Sequence, residues 1–165
     1  MKAPTTSLLL SGIAAVSLAA VASALVSQHV LDMQPCPWCV LQRLIFVAIA
    51  LLALVGLAGR SAGARRGTAF GLLLLCGAGI AAALWQHFVA AASASCNLTL
   101  ADRIMSASGL NALLPDLFEA RASCADAAVS MLGVPYEFWS LALFVAIEAA
   151  ALWLLLGTRF SANTR

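Results

Sequence analysis

Residues 67–86, with the sequence GTAFGLLLLCGAGIAAALWQ, contain no charged side chain. A bilayer core of about 30 Å is crossed by about 20 apolar residues in helical form, so this stretch is long enough to span a membrane. Three other segments, at residues 7–28, 40–59 and 138–157, are similarly long and apolar, with Arg43 and Glu148 as their only charged side chains. The span that opens at residue 67 reaches residue 87. The sequence therefore predicts an all-α membrane protein built as a bundle of four transmembrane helices.

The overall composition excludes most soluble classes of protein. The chain has 165 residues, of which 63% are hydrophobic and 10% are charged. A soluble globular domain has about 25% charged residues, so this chain has too few to cover a water-exposed surface. The net charge of +2 provides no basic stripe for binding nucleic acid. We expect one membrane domain covering residues 1–165.

The basic residues predict the orientation of the four spans. Six of them lie in the two termini and in the connection 60–66: Lys2, Arg60, Arg65, Arg66, Arg159 and Arg165. The loops at residues 29–39 and 88–137 hold only Arg103 and Arg121, together with every acid that lies outside the spans. The positive-inside rule then predicts cytoplasmic termini, with both of these loops on the periplasmic side.

The first apolar segment has one competing interpretation. Residues 20–24, AVASA, resemble the small-residue cleavage site of a secretory signal peptide. The apolar run that precedes them is longer than the core of a typical signal peptide, so we expect the segment to be retained as a span.

Four of the five cysteines fall on the predicted outer side, where disulfides form and persist in bacteria. Cys36 and Cys39 stand at the entrance of the second span, and Cys96 and Cys124 lie in the long loop. The fifth, Cys76, lies in the middle of the third span, where a thiol most often serves as a small buried apolar group.

The motif CPWCVLQR, residues 36–43, combines features that favour redox chemistry. Pro37 stiffens the turn between the cysteines, and Cys39 is predicted in the first turn of a helix, where free N–H groups favour a thiolate. Arg43 is one turn deeper on the same face, where it could stabilise that thiolate or bind the polar head of a lipid-soluble ligand. The alternative is an arginine that extends toward the headgroups beside an inert disulfide.

The cysteine spacing argues against metal and haem sites. Zinc is usually held by two CxxC pairs or by CxxC with nearby histidines, and a c-type haem needs a histidine directly after the second cysteine. Cys96 and Cys124 are far apart in sequence, and Val40 follows Cys39. We expect Cys96 and Cys124 to form a second disulfide, which acts either as a staple on the loop or as part of a thiol–disulfide relay.

Taken together, these features resemble the DsbB family of disulfide-bond formation proteins. The resemblance rests on four spans, on CPWC followed by Arg43, on two cysteines in the second outer loop, and on LGVPYEFW at residues 132–139. It covers essentially the whole chain. The family's fold and location imply a bacterial inner-membrane protein with its reactive cysteines facing the periplasm.

The resemblance also implies a role for each candidate site residue. Cys96 would form a mixed disulfide with a DsbA-like thioredoxin-fold oxidase, and Cys124, released as a thiolate, would attack Cys36. Cys39 would then donate electrons to a membrane quinone, either ubiquinone or menaquinone, that is bound near Arg43. His87, at the outer end of the third span, matches a family histidine near the quinone. No metal is implied.

Two other functions stay open on the sequence alone. One is a quinone reductase similar to vitamin K epoxide reductase, which is also a four-span enzyme but carries its quinone-facing CxxC late in the bundle. The other is a non-enzymatic tetraspan protein with structural disulfides. The position of CPWC before the second span favours the DsbB-like interpretation over the first of these.

Overall fold

The computed structural model describes residues 3–59, 61–92 and 99–162. Four long helices dominate it: α1 (Ala3–Val30), α2 (Pro37–Ala58), α3 (Ala62–Trp85) and α7 (Tyr136–Ala162). A π-helical turn, Gln86–Ala90, continues α3. The cysteine Cys96 and the basic residues Lys2, Arg60 and Arg165, all part of the sequence predictions, lie outside the described residues.

Each of the four long helices is apolar and long enough to cross a membrane, which confirms the predicted all-α four-helix architecture. The apolar segments are Thr5–Val30, Pro37–Ala58, Ala62–Ala90 and Tyr136–Gly157. The helices extend past the spans predicted from the sequence. In α3, for example, the Ser61 hydroxyl accepts a hydrogen bond from the Ala64 N–H at 3.0 Å, so the helix begins inside the predicted connection 60–66.

Helix packing depends on small residues at close contacts, as is common in membrane bundles. Helix α2 packs against α1 and α3, and α3 packs against α7, whereas α1 and α7 touch much less. The ring of Phe144 is fully buried, stacks on Phe46 with a centroid distance of 4.1 Å, and lies directly over Gly79. The looser contact between α1 and α7 leaves room for a cavity on that side of the bundle.

The long loop between the π-helical turn and α7 contains three short helices and a small hairpin. The helices are α4 (Leu100–Ser108), α5 (Leu110–Leu113) and α6 (Pro115–Phe118), and the strands β1 (Ser130–Met131) and β2 (Val134–Pro135) pair antiparallel. The sequence analysis did not predict the hairpin. Its turn, Leu132–Gly133, has positive φ at both residues, which is the geometry of the tight hairpin turns that suit the twist of paired strands.

The loop folds back over the start of α2. The backbone N–H groups of Arg121 and Ala122 donate to the carbonyl oxygen of Pro35 at 2.9 and 3.2 Å. Met105 and Phe118 bury their side chains under the loop, in contrast to Leu113, which is 74% exposed. This arrangement covers the outer end of the bundle and carries the segment around Cys124 to the CPWC motif.

Candidate active site

The CPWC motif forms the start of α2, as the sequence predicted for Cys39. Cys36 is the N-cap residue, Pro37 occupies the first helical turn, and the Cys36 Sγ accepts a hydrogen bond from the backbone N–H of Cys39 at 3.2 Å. Proline suits this position because its missing N–H would have no helical partner there. The free N–H groups of the first turn therefore point toward sulfur rather than toward water.

Cys124 joins these two cysteines from the long loop. The Cys36 thiol lies within hydrogen-bond reach of the sulfurs of both Cys124 and Cys39, and the Cys124 sulfur also accepts from the backbone N–H of Trp38. Cys36, Cys39 and Cys124 are free thiols in the structure. We call these three residues the thiol cluster. Its geometry places Cys36 between the other two sulfurs.

The hydrogen bonds within the thiol cluster give Cys36 and Cys124 opposite acidities. The pKa of Cys36 lies well above its ordinary value, because the thiol hydrogen-bonds to Cys124 and Cys39 and is buried. The pKa of Cys124 lies below its ordinary value, because its sulfur accepts from Cys36 and from the Trp38 N–H, although burial opposes this effect. Since the thiolate is the nucleophile in disulfide exchange, Cys124 is prepared to attack and Cys36 is not.

Two glutamines that the sequence analysis did not select support Cys39. The Nε2 of Gln86 donates to the Cys39 Sγ at 3.3 Å, and the Gln86 Oε1 accepts from the Nε2 of Gln42 at 2.7 Å. Both glutamine side chains are buried. A polar amide at the end of an otherwise apolar span was the available signal in the sequence, and it did not indicate which thiol the amide would contact.

Arg43 is buried one turn below Cys39, with 6% of its surface exposed. It donates to Gln28 Oε1 at 2.6 Å, to the Ala24 carbonyl at 3.3 Å and to the Leu117 carbonyl at 3.4 Å. Within residues 3–59, 61–92 and 99–162, no carboxylate lies within ion-pair distance of its guanidinium. Its charge is therefore held by neutral oxygens, which leaves it available to an anion or to a polarised ligand oxygen.

A cavity of about 1120 Å³ lies between α1, α2 and α7, beneath the segment that precedes the hairpin. Cys39, Gln42, Arg43 and Gln86 form its polar wall. The apolar wall comes from both sides of the gap between α1 and α7: it includes Val16, Ala19, Ala20, Phe46, Trp139 and Leu143. The cavity thus places the Cys39 thiol beside an apolar space that is large enough for a small organic ligand.

His87 lies beside this cavity rather than in its wall. Its Nδ1 is 2.5 Å from the Oε1 of Glu137, and its ring contacts the rings of Phe88 and Phe138. Glu137 does line the cavity, and its side chain is 4% exposed. The structure therefore brings together four of the predicted site residues: Cys36, Cys39, Cys124 and Arg43. His87 is separated from the cavity by Glu137, which it contacts. Cys96 lies outside the described residues.

The remaining predicted features lie apart from the thiol cluster. Cys76 is a buried free thiol in the middle of α3, near Glu148 of α7. In the part of the chain that the structure describes, no group of three or more His, Cys, Asp and Glu side chains is placed to hold a metal ion.

Four apolar helices with vicinal thiols at the end of one of them are features that a membrane-embedded thiol–disulfide oxidoreductase requires. The family model for disulfide bond formation protein DsbB matches residues 6–154. Disulfide bond formation protein B of Herminiimonas arsenicoxydans is 36% identical over 88% of this chain and 90% of its own length. The protein of that name from Aromatoleum aromaticum is 33% identical over 92% and 93%, respectively.

The chain belongs to the DsbB family. It is a multi-pass membrane protein of disulfide bond formation, and family membership implies a disulfide-generating oxidoreductase activity. This favours the enzymatic interpretation over a tetraspan protein with inert disulfides.

Proposed function

We propose that the protein reoxidises a periplasmic, DsbA-like dithiol oxidase and passes the two electrons to a membrane quinone. Cys96 and Cys124 receive the electrons from the carrier, and Cys36 and Cys39 transfer them to ubiquinone or menaquinone. The single observation that carries this proposal is the position of Cys36, which hydrogen-bonds both Cys124 and Cys39. A relay needs one sulfur that can exchange with both of its neighbours, and Cys36 has that position.

The relay can be written as balanced disulfide exchanges. The reduced carrier converts a Cys96–Cys124 disulfide to two thiols and leaves with its own disulfide. The Cys124 thiolate then attacks Cys36, so that a Cys36–Cys124 bond forms, the Cys36–Cys39 bond breaks, and the electron pair stays on Cys39. Attack of Cys96 on Cys124 restores the loop disulfide and releases Cys36. The Trp38 N–H, which donates to the Cys124 sulfur and does not depend on the oxidation state of Cys36, favours the attacking thiolate.

The cavity beside Cys39 fits a quinone. Its volume of about 1120 Å³ and its apolar walls suit a flat quinone ring and the first part of an isoprenoid tail. Arg43 and Gln86 provide buried N–H donors on the wall that holds Cys39. Glu137 also lines the cavity, and its buried Oε2 has no hydrogen-bond partner among the described residues. When bound there, a quinone would accept two electrons and two protons.

The chain's own residues orient this chemistry. Gln86 donates to the Cys39 sulfur and stabilises negative charge on it, and Gln42 holds the Gln86 amide in place. Arg43 attracts an electron-rich oxygen into the cavity, while Gln28 and two backbone carbonyls fix the guanidinium. The apolar wall excludes water, which strengthens these electrostatic interactions.

The proposed location is the bacterial inner membrane, with the thiol cluster on the periplasmic side and both termini in the cytoplasm. The basic residues of the termini and of the connection 60–66 support this orientation. The loop 88–137, which carries Cys124, holds five acids and two basic residues, and the loop 29–39 adds Asp32. An oxidising compartment on that side also suits a protein that generates disulfides.

A reconstituted assay tests the proposed function. Purified protein in detergent, a reduced thioredoxin-fold carrier and a soluble ubiquinone or menaquinone analogue are mixed, and the quinone absorbance is followed. We expect Cys39→Ser and Cys96→Ser to abolish quinone reduction. Cys76→Ser is the matched control, because this thiol is buried in α3 away from the cavity. Wild-type rates in the Cys39 and Cys96 variants would refute the relay.

A further inference from the structure

Glu137 combines burial with an incomplete set of hydrogen bonds. The side chain is 4% exposed and lies in the first turn of α7, on the wall of the cavity. Its Oε1 contacts His87 Nδ1 at 2.5 Å, whereas its Oε2 is buried without a partner among the described residues. Buried polar atoms are nearly always paired, so a carboxyl group with one unpartnered oxygen is an unusual feature of the cavity wall.

His87 connects this carboxyl group to the outside of the bundle. Its side chain is 30% exposed, whereas that of Glu137 is almost fully buried. The two side chains come from different helices, α3's π-helical continuation and α7, and meet at the outer end of the bundle. Together they connect the surface of the bundle to the cavity wall through one hydrogen bond, between His87 Nδ1 and Glu137 Oε1.

We propose that Glu137 delivers a proton to the quinone during its reduction and that His87 returns a proton to Glu137. This inference rests on the proposed function. When Cys39 reacts as a thiolate, the Cys36–Cys39 dithiol supplies two electrons but only one proton, from Cys36, and a quinol needs two. The step balances if Glu137 supplies the second: Cys36–SH, Cys39–S⁻, quinone and Glu137–COOH give the disulfide, the quinol and Glu137–COO⁻.

The other groups around the cavity are less suited to this role. An arginine does not release its proton in proteins, and the amides of Gln42 and Gln86 do not ionise. Asp32 and Asp126 are exposed and accept hydrogen bonds from Gln34 and Ser123, respectively. The charged and titratable groups that line the cavity with Glu137 are Asp32, Cys39, Arg43, Arg121, Asp126 and Tyr136, and His87 contacts it from outside the wall.

The test compares Glu137→Gln with Glu119→Gln, an exposed acid that does not line the cavity. Pre-reduced protein in detergent is mixed with a ubiquinone analogue, and the first turnover is followed at several pH values. A well-placed general acid contributes about 10²–10⁴-fold to a rate. We expect Glu137→Gln to slow the first turnover at least tenfold at alkaline pH and less at acidic pH, where water supplies protons more readily. Glu119→Gln should match the wild type.

Two measurements without turnover separate proton delivery from a structural role. Quinone affinity of the oxidised protein, measured by quenching of tryptophan fluorescence, should change less than threefold in Glu137→Gln. Infrared spectra of the quinone-free protein should contain a carboxylic acid band that shifts in D₂O and is lost in Glu137→Gln but kept in Glu119→Gln. If Glu137→Gln does not fold, His87→Gln tests the same path and should slow later turnovers more than the first.

The remaining outcomes contradict either this inference or the proposed function. A wild-type first turnover in Glu137→Gln overturns the inference, and so does an equal slowing at every pH that is accompanied by weaker quinone binding. Identical infrared spectra of wild type and Glu137→Gln would also contradict it. If the wild-type protein itself does not reduce quinone, the proposed function fails; failure of the inference alone leaves wild-type quinone reduction intact.

Discussion

Replacing Arg43 with histidine is expected to raise the KM for quinone more than it lowers kcat. The guanidinium is buried, lines the cavity together with Cys39, and is held by Gln28 Oε1 at 2.6 Å. Histidine is shorter and offers at most two N–H donors in place of five. A quinone oxygen that accepts a charge-assisted hydrogen bond from Arg43 would lose it in the variant, whereas the thiol cluster would stay intact.

The size of the effect follows from the contact that is lost. A hydrogen bond to a charged group contributes about 1.5–3 kcal/mol, and about 1.4 kcal/mol corresponds to a tenfold change in affinity. The expected rise in KM is therefore roughly 10- to 150-fold. The bonds from Arg43 to Gln28 and to two backbone carbonyls exist without ligand, so their loss affects folding stability rather than KM.

The assay is steady-state quinone reduction with a saturating concentration of reduced carrier, at quinone concentrations that bracket the KM. Arg121→Gln is the matched control. Arg121 also lines the cavity, but it is exposed and paired with Asp116 and Glu119 at 3.1 and 3.2 Å, so its charge is already balanced. We expect less than a threefold change in KM for this variant, and thermal denaturation in detergent shows whether either variant is misfolded.

One pattern of kinetic results would refute the reasoning. If Arg43→His has a normal KM for quinone but a raised KM for the dithiol carrier, the guanidinium supports the periplasmic loop rather than the quinone. Its contact with the Leu117 carbonyl, on the loop side, makes this alternative measurable. An equal rise of KM in Arg121→Gln would also refute it, because charge near the cavity, rather than a specific hydrogen bond, would then control affinity.

Two further predictions concern the thiol cluster and the packing. Cys36→Ala removes a hydrogen-bond donor to Cys124 and should raise the Cys124 pKa. In protein whose Cys96 and Cys124 are reduced, the pH profile of Cys124 alkylation should therefore move to higher pH. An unchanged profile contradicts the assigned cause. Gly79→Ala places a Cβ 2.5 Å from the buried Phe144 ring and should cost about 1–3 kcal/mol, measured as a lower Tm in detergent. Gly77→Ala, with nothing within 4 Å, should keep or raise the Tm.

The four-helix architecture was predictable because a spanning helix is encoded in one continuous apolar segment. The same holds for the start of α2, where Pro37 and the spacing of Cys39 and Arg43 predict one helical face with a thiol and a cation. These inferences depend on neighbours in sequence. The family resemblance added the roles of Cys124 and Cys36, and the structure brings those two sulfurs into hydrogen-bond contact.

The partners of Cys39 and Arg43 could not be predicted in the same way, because they come from distant segments. Gln86 reaches Cys39 from the end of α3, and Gln28 reaches Arg43 from α1. The π-helical turn that begins at Gln86 has no simple signal in the sequence. The sequence identifies Glu137 only as an acid of the loop 88–137, because its contact with His87 joins two distant positions of the chain.

The polar residues beneath the thiol cluster are costly if their only role is structural. Gln28, Gln42, Arg43, Gln86 and Glu137 are all nearly inaccessible. In a membrane bundle, apolar side chains could fill the same space, and replacing buried ionic groups by well-packed apolar ones is often neutral or stabilising. Gln28 instead accepts from Arg43, Gln42 donates to Gln86, and Glu137 contacts His87. Arg43, Gln42, Gln86 and Glu137 all line the cavity beside Cys39. Such a set is better explained by a ligand that takes up electrons at Cys39 than by the needs of helix packing.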